Sequence, residues 1–127
     1  MKIQLEKEQL SLFLKVLKDL KELNRYVPVL VEGKRDRETL RKLGLEGTIL
    51  LLHQGLNLYE YSEELAERYD KIIILLDWDP RGEAMYQKIK GYLKGHYEEF
   101  SFIRETIKKL SGDQFYEVEH LIDIFKG

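Results

Sequence analysis

Residues 72–85 read IIILLDWDPRGEAM. Five apolar residues run without a break into Asp77, Trp78 and Asp79, and Pro80, Arg81 and Gly82 follow. A short, continuously apolar run is the mark of a strand buried on both faces. The residues after Pro80 regain helical spacing, so the stretch has the form strand, acidic loop, helix. The same form occurs twice more upstream. VPVLV (27–31) ends in Glu32-Gly33-Lys34 and leads into a short helix from Asp36, with Asp36 as N-cap and Gly44 just past its end. TILLL (48–52) ends in His53-Gln54-Gly55 and leads into a helix over 57–69, with Leu58, Tyr61, Leu65 and Tyr69 on one face. The third strand is expected at 71–76 and its helix at 82–94. Strands alternating with helices give an α/β fold with a parallel sheet covered on both sides.

Residues 4–23 form an amphipathic helix ending near Asn24, with Leu5, Leu12, Val16, Leu20 and Leu23 at helical spacing. A further helix is expected at 98–110. YEVEHLIDIF (116–125) is either a strand entering a last helix or a helix throughout. The 127 residues fit a single domain: N-terminal helix 1–24, core 26–95, C-terminal extension 96–127.

Composition bounds the chemistry. The chain has 21 basic and 23 acidic residues, a net charge of −2, which leaves no strong overall electrostatic footprint for nucleic acid. It has no cysteine, so disulfides, thiolate zinc sites and cysteine nucleophiles are excluded. The charged N-terminus does not suit a signal peptide. No apolar run approaches the roughly 18 residues that span a bilayer. A cytoplasmic location is expected, and Lys/Glu richness with few methionines fits heat adaptation.

In an open parallel sheet, ligands bind at the carboxyl ends of the strands. Glu32, Asp77 and Asp79 should therefore share one rim. Residues i and i+2 of an extended segment point the same way, so Asp77 and Asp79 can aim at one point. Carboxylates so close repel one another, and a divalent cation relieves that. An all-oxygen donor set favours Mg²⁺, or Mn²⁺ in its place. Lys34, Arg81 and the amides of Gly33, Gly55 and Gly82 would suit phosphate oxygens. A purely structural reading stands beside this one: Asp79 before Pro80 is also a good helix N-cap with proline at the first helical position.

VLVEGKRD (29–36), followed by IILLDWDPRGE (73–83), resembles the Toprim domain. That Rossmann-like module is shared by topoisomerases, bacterial-type primases, OLD-family nucleases and ribosomal-RNA maturase ribonucleases. The resemblance covers about residues 26–95 and rests on Glu32-Gly33, Gly55, and Asp77 with Asp79 and Gly82. VEHL (118–121) also resembles a segment of the maturase type. The resemblance implies a parallel sheet of about four strands flanked by helices. It also implies phosphoryl transfer on RNA or DNA, with Glu32, Asp77 and Asp79 as catalytic, metal-holding residues. Gly33, Lys34, Gly55, Arg81 and Gly82 would meet the substrate. Many members carry a third acid where this chain has Arg81; Glu83, Glu117 or Glu119 could supply another oxygen. Topoisomerase and primase activities need further machinery that the chain has no room for. A nuclease-like enzyme is expected, with a non-catalytic metal- or nucleic-acid-binding subunit of a processing complex as the alternative, as monomer or homodimer and without a membrane. A receiver-like phosphotransfer fold would want an acidic pair after strand one, where only Glu32 stands. Haloacid-dehalogenase-type phosphatases place D-x-D after the first strand, unlike here.

Of the remaining residues, His53 is a candidate substrate contact, while His96 and His120 have no evident partner. Trp78 should point away from the aspartates, either to pack against a helix or to stack on a base. KIKGYLKGHY (88–97) interleaves Lys with Tyr, as a nucleic-acid contact or as a solvated helix end.

Overall fold

The computed structural model describes residues 1–52, 55 and 57–126; the candidate contact His53 lies outside the described residues. The elements follow in the order α1 (Lys7–Asn24), β1 (Val29–Val31), α2 (Lys34–Lys42), β2 (Ile49–Leu51), α3 (Leu58–Arg68), β3 (Ile73–Ile74), α4 (Pro80–Tyr92) and α5 (Ser101–Ser111). Short 3-10 stretches cover Glu98–Phe100 and Val118–Lys126. The sheet is parallel with strand order β2-β1-β3, pairing Val29 with both Ile49 and Ile73. Backbone bonds carry the pairing past the strand ends, from Leu52 to Val31 (3.0 Å) and from Leu75 to Leu30 (2.8 Å).

The unbroken apolar runs follow from two-sided burial. Val29, Val31, Ile73 and Leu75 face a core built with Phe13, Val16 and Leu20 of α1 and Ile103 and Ile107 of α5. Their alternates Leu30, Ile72, Ile74 and Leu76 face a second core with Tyr61 and Leu65 of α3 and Tyr86 and Ile89 of α4. Leu40 of α2 lies in the first core, so α2 and α3 cover opposite faces of the sheet. The chain leaves β1 for β2 on one side and then crosses back to β3 on the other. The carboxyl ends of β1 and β3 therefore flank the point where the winding reverses, which is where such folds bind ligands.

The expected fourth strand is absent among the described residues, where the sheet has three strands. The segment before residue 118 does run beside the end of β3, but it makes a single backbone bond there, Trp78 N to Tyr116 O (2.9 Å). Its next amide, from Val118, is taken by the Asp77 side chain instead (2.8 Å), so no ladder forms. The C-terminal stretch then closes as 3-10 turns, neither strand nor α-helix. Helix α2 begins two residues earlier than expected. Gly33 is its N-cap, and Asp36 lies inside the first turn with Oδ2 accepting from the Gly33 N–H (3.1 Å). Gly44 closes α2 at φ +106°, where a side chain would be strained. Among the described residues no helix is long and apolar enough to cross a membrane.

Asn24 does more than stop α1. It is buried, its Nδ2 donates to the carbonyls of Val27 (3.1 Å) and Thr48 (2.9 Å), and its Oδ1 accepts from Gly47 (2.8 Å). One amide thus joins the end of α1 to the entries of β1 and β2. Asn24→Ala should lower unfolding stability by about 2–4 kcal/mol, because it removes three hydrogen bonds and leaves the Val27 carbonyl and the Gly47 N–H without this partner, while the Thr48 carbonyl keeps the Val29 N–H; urea denaturation measures this.

Candidate metal centre

The rim at the carboxyl ends of β1 and β3 collects acids from four segments. Glu32 follows β1, Asp36 sits in the first turn of α2, Asp77 and Asp79 follow β3, and Glu117 and Glu119 come from the C-terminal segment. Asp77 is almost fully buried. Burial is the main cause that pushes its carboxyl up to about 8; the Val118 N–H opposes this, while the charges of Asp36, Glu32 and Glu117 reinforce it. Asp36 is pushed up to about 6, again chiefly by burial, against the Gly33 N–H and with Glu32, Glu119 and Glu117 adding repulsion. Glu117 is raised by burial and by its hydrogen bond and charge contact with Glu119.

Glu32 turns one oxygen, Oε2, to Arg81 Nη2 at 2.6 Å. Its other oxygen, Oε1, is buried and has no hydrogen-bond partner among the described residues. A buried carboxylate oxygen without a donor is costly unless something positive meets it. Asp79 is half-buried, and its Oδ1 accepts from the Gly82 N–H (2.7 Å) ahead of Pro80, as the helix-cap reading expected. That role ties up one oxygen and fixes the direction of the side chain. The structure therefore brings Glu32, Asp77 and Asp79 to one rim.

The five phosphate-facing positions are arranged less uniformly. Lys34 is exposed at the start of α2, and Gly55 is exposed in the bend beyond β2. Arg81 is mostly exposed at the start of α4, but bonded to Glu32. The amides of Gly33 and Gly82 are already donated, to Asp36 and Asp79, and are not free for a phosphate. Gly82 is required for packing: a Cβ there would stand 2.4 Å from the Asp77 carbonyl oxygen and 2.9 Å from Asp79 Oδ1. At Gly33 a Cβ would meet nothing within 4 Å.

Trp78 points away from the acids into the first core. Its Nε1 donates to Ser111 Oγ (2.8 Å) and to the Phe115 carbonyl (3.0 Å), which leaves no face for a base. His96 Nδ1 sits 2.9 Å from the Asp70 carbonyl, and His120 Nδ1 sits 3.2 Å from Asp123 Oδ2. Both therefore have partners that the spacing did not reveal. Side-chain atoms of Glu117, Glu119 and His120 come within 4.8 Å of one another, beside the principal acids. Thr39 Oγ1 holds the Glu119 carbonyl (3.1 Å), which docks this segment on α2.

The residue that sequence reading missed is Arg104. It is fully buried, donating from Nε to the Leu76 carbonyl (2.7 Å) and from Nη2 to the Asp77 carbonyl (2.6 Å). Nη2 also pairs with Glu83 Oε1 (2.9 Å), and the guanidinium stacks on Tyr86 at 3.9 Å from the ring centre. Lys108 reaches the same Glu83 oxygen at 3.0 Å. Burial pushes the Glu83 carboxyl up, but Lys108 and Arg104 outweigh it and hold the group below the ordinary range. Glu83 is thus engaged with two cations rather than offered to a metal. The signal was present in SFIRETIKKL: Arg104 falls in the buried stripe with Ile103, Ile107 and Leu110.

Residues 27–115 match the family model of the Toprim domain. The chain belongs to the Toprim domain family. The match runs beyond the core inferred from motifs and takes in α5, so Arg104 lies inside the Toprim domain. The UPF0292 protein TV1259 of Thermoplasma volcanium is 32% identical over 111 residues, covering 80% of this chain and 93% of its own. The UPF0292 protein Mbar_A0484 of Methanosarcina barkeri is 33% identical over 123 residues, covering 94% and 84%. Among solved structures, a protein from Aquifex aeolicus superposes with a TM-score of 0.67 at 29% identity, covering 84% of this chain and 95% of that one. Membership of the Toprim family carries a metal-dependent, nucleic-acid-related function. The donor set here fits a divalent cation: carboxylates only, one of them raised to about 8 and another with a buried, unpartnered oxygen.

Two predictions follow from these contacts. Arg104→Leu should cost about 3–5 kcal/mol in urea unfolding, because it leaves the carbonyls of Leu76 and Asp77 without their donor in a dry site and Glu83 with Lys108 alone. In a chelator, the folded chain holds protons on Asp77 that the unfolded chain, with its carboxyl near 3.8, has already lost. Stability should therefore fall as pH rises from about 4 to about 8, and Asp77→Asn should flatten that slope in thermal melts.

Proposed function

We propose that this Toprim protein is a Mg²⁺-dependent phosphoryl-transfer enzyme of the nuclease type, acting on RNA or DNA. The observation that carries the reading is the pairing of Asp77, buried and raised to about 8, with a Glu32 oxygen that has no donor among the described residues. Two carboxyl groups are held together there with little to stabilise their charge, as expected where a site is arranged for a ligand. Glu32, Asp77 and Asp79 would hold the ion, with Mn²⁺ able to replace Mg²⁺. A bound divalent ion supplies charge compensation for a phosphate and its leaving oxygen.

The chain's own residues set the rest. Glu32 lies at the mouth of the site and can give or take a proton when Arg81 moves from it. Lys34, exposed at the start of α2, faces solvent and can meet a backbone phosphate together with the positive end of that helix. Asp79 is oriented by its bond to Gly82 before any ligand arrives, and the Asp77 backbone is held by Arg104. This preorganisation means that little rearrangement is required when the substrate binds.

The bond between Arg81 and Glu32 favours a second reading, a non-catalytic metal- and nucleic-acid-binding module of a processing complex. Nuclease assays with Mg²⁺ or Mn²⁺ on structured RNA, single strands and duplex DNA separate the two. Asp77→Asn and Glu32→Gln should each lower cleavage by about a hundredfold or more, with an unchanged circular dichroism spectrum. A wild-type protein that takes up Mn²⁺ but cleaves none of these substrates would leave the binding module as the answer.

A further inference from the structure

Arg81 occupies a place of unusual electrostatic consequence. Its Nη2 donates to Glu32 Oε2 at 2.6 Å while 70% of its side chain remains exposed. The guanidinium also lies close enough to Asp79 and Asp77 for both charges to act on it. It enters from the first turn of α4, where Pro80 and the cap from Asp79 to Gly82 fix the backbone. The guanidinium is therefore tethered at the rim and, unlike a solution ion, cannot diffuse away.

Glu32, Asp77 and Asp79 together carry three negative charges when ionised. One divalent ion and one guanidinium balance them. A second divalent ion at the same carboxylates would have to approach the Arg81 guanidinium at short range, where like charges repel. It would also have to compete for the Glu32 oxygen that Arg81 already holds. We propose that this rim takes one divalent cation per chain and that Arg81 fills the electrostatic place of a second. The inference rests on the metal-binding reading of the same three carboxylates and adds the number of ions and the residue that limits it.

The number of ions is measured without any assay of activity. Metal-free protein is titrated with Mn²⁺ near neutral pH, at an ionic strength that suppresses weak surface binding. Calorimetry counts the sites, and the electron paramagnetic resonance of free and bound Mn²⁺ checks the count. Wild type and Arg81→Lys should each bind one ion. Arg81→Glu removes the guanidinium and adds a carboxylate; it should bind two, with the line broadening of two neighbouring spins. Because the side chain is exposed, this variant should fold, and circular dichroism verifies that. Two ions in the wild type, whether at the rim or at Glu117, Glu119 and His120, overturn the proposal and leave the metal reading intact. An Arg81→Glu protein that still binds one also overturns it. No uptake by the wild type overturns both.

Discussion

A fully buried guanidinium holds the end of β3. Arg104 reaches from α5 to the carbonyls of Leu76 and Asp77, the last residues before the acidic loop. A strand end at a sheet rim has carbonyls with no ladder partner, and in a dry setting each needs a donor. Arg104 provides both from one rigid, planar group, which a lysine could not match. Its own charge is met by Glu83 and by the face of Tyr86, both on α4. One side chain thus fixes α5, α4 and the strand that carries Asp77 relative to one another. The orientation of Asp77 and Asp79 depends on that junction, with Gly82 packed against the Asp77 carbonyl from the other side.

Holding the acids in place and making them comfortable are separate matters. Arg104 contacts the Asp77 main chain, and among the described residues the Asp77 carboxyl forms no ion pair. The carboxyl receives one amide, from Val118, and is otherwise surrounded by burial and by other acids. Removing Asp77 from water costs more than that amide returns, so the group stays protonated well above the usual carboxylate range. The C-terminal segment acts in both directions, since its Val118 amide opposes the rise and its Glu117 charge adds to it. A strand there, one of the two readings of this stretch, would have given its amides to main-chain carbonyls. The observed 3-10 segment gives one to the Asp77 side chain instead.

Much of this was legible in the sequence because it rests on local rules. Uninterrupted apolar runs ending in Glu32-Gly33 and in Asp77-Trp78-Asp79 fixed the parallel sheet, and a parallel sheet puts all strand exits on one rim. The Asp79-Pro80 pair signalled a helix start through capping chemistry, and Gly44 signalled a helix end through its backbone freedom. What escaped was set by tertiary partners. Asp36 reads as a cap from spacing alone, but it lies one turn into its helix because Gly33 takes the cap position. Arg104 reads as a surface charge unless its position in the Ile103–Ile107 stripe is taken seriously. The partners of His96 and His120 come from main-chain and side-chain neighbours that no periodicity predicts. The C-terminal segment could not be assigned, since its conformation is decided by Asp77 and α2 rather than by its own residues.

The two arginines divide the electrostatics of the rim between them. Arg104 is dry, permanently paired and acts on the backbone. Arg81 is wet, singly paired and acts on a carboxylate. Arg81 can turn its free nitrogens to solvent or to an incoming phosphate while it stays tethered at the rim. Exchange of Arg104 would leave two carbonyls without a donor and Glu83 with Lys108 alone. The part that must stay rigid is therefore secured by the buried guanidinium, and the part that meets an incoming phosphate is covered by the exposed one. A site whose acids repel each other can remain folded and ready only if rigidity and charge relief are assigned to different groups in this way. Placing both cations in the interior would freeze the carboxylates in ion pairs, and placing both in solvent would let the Asp77 loop collapse toward the nearest donor.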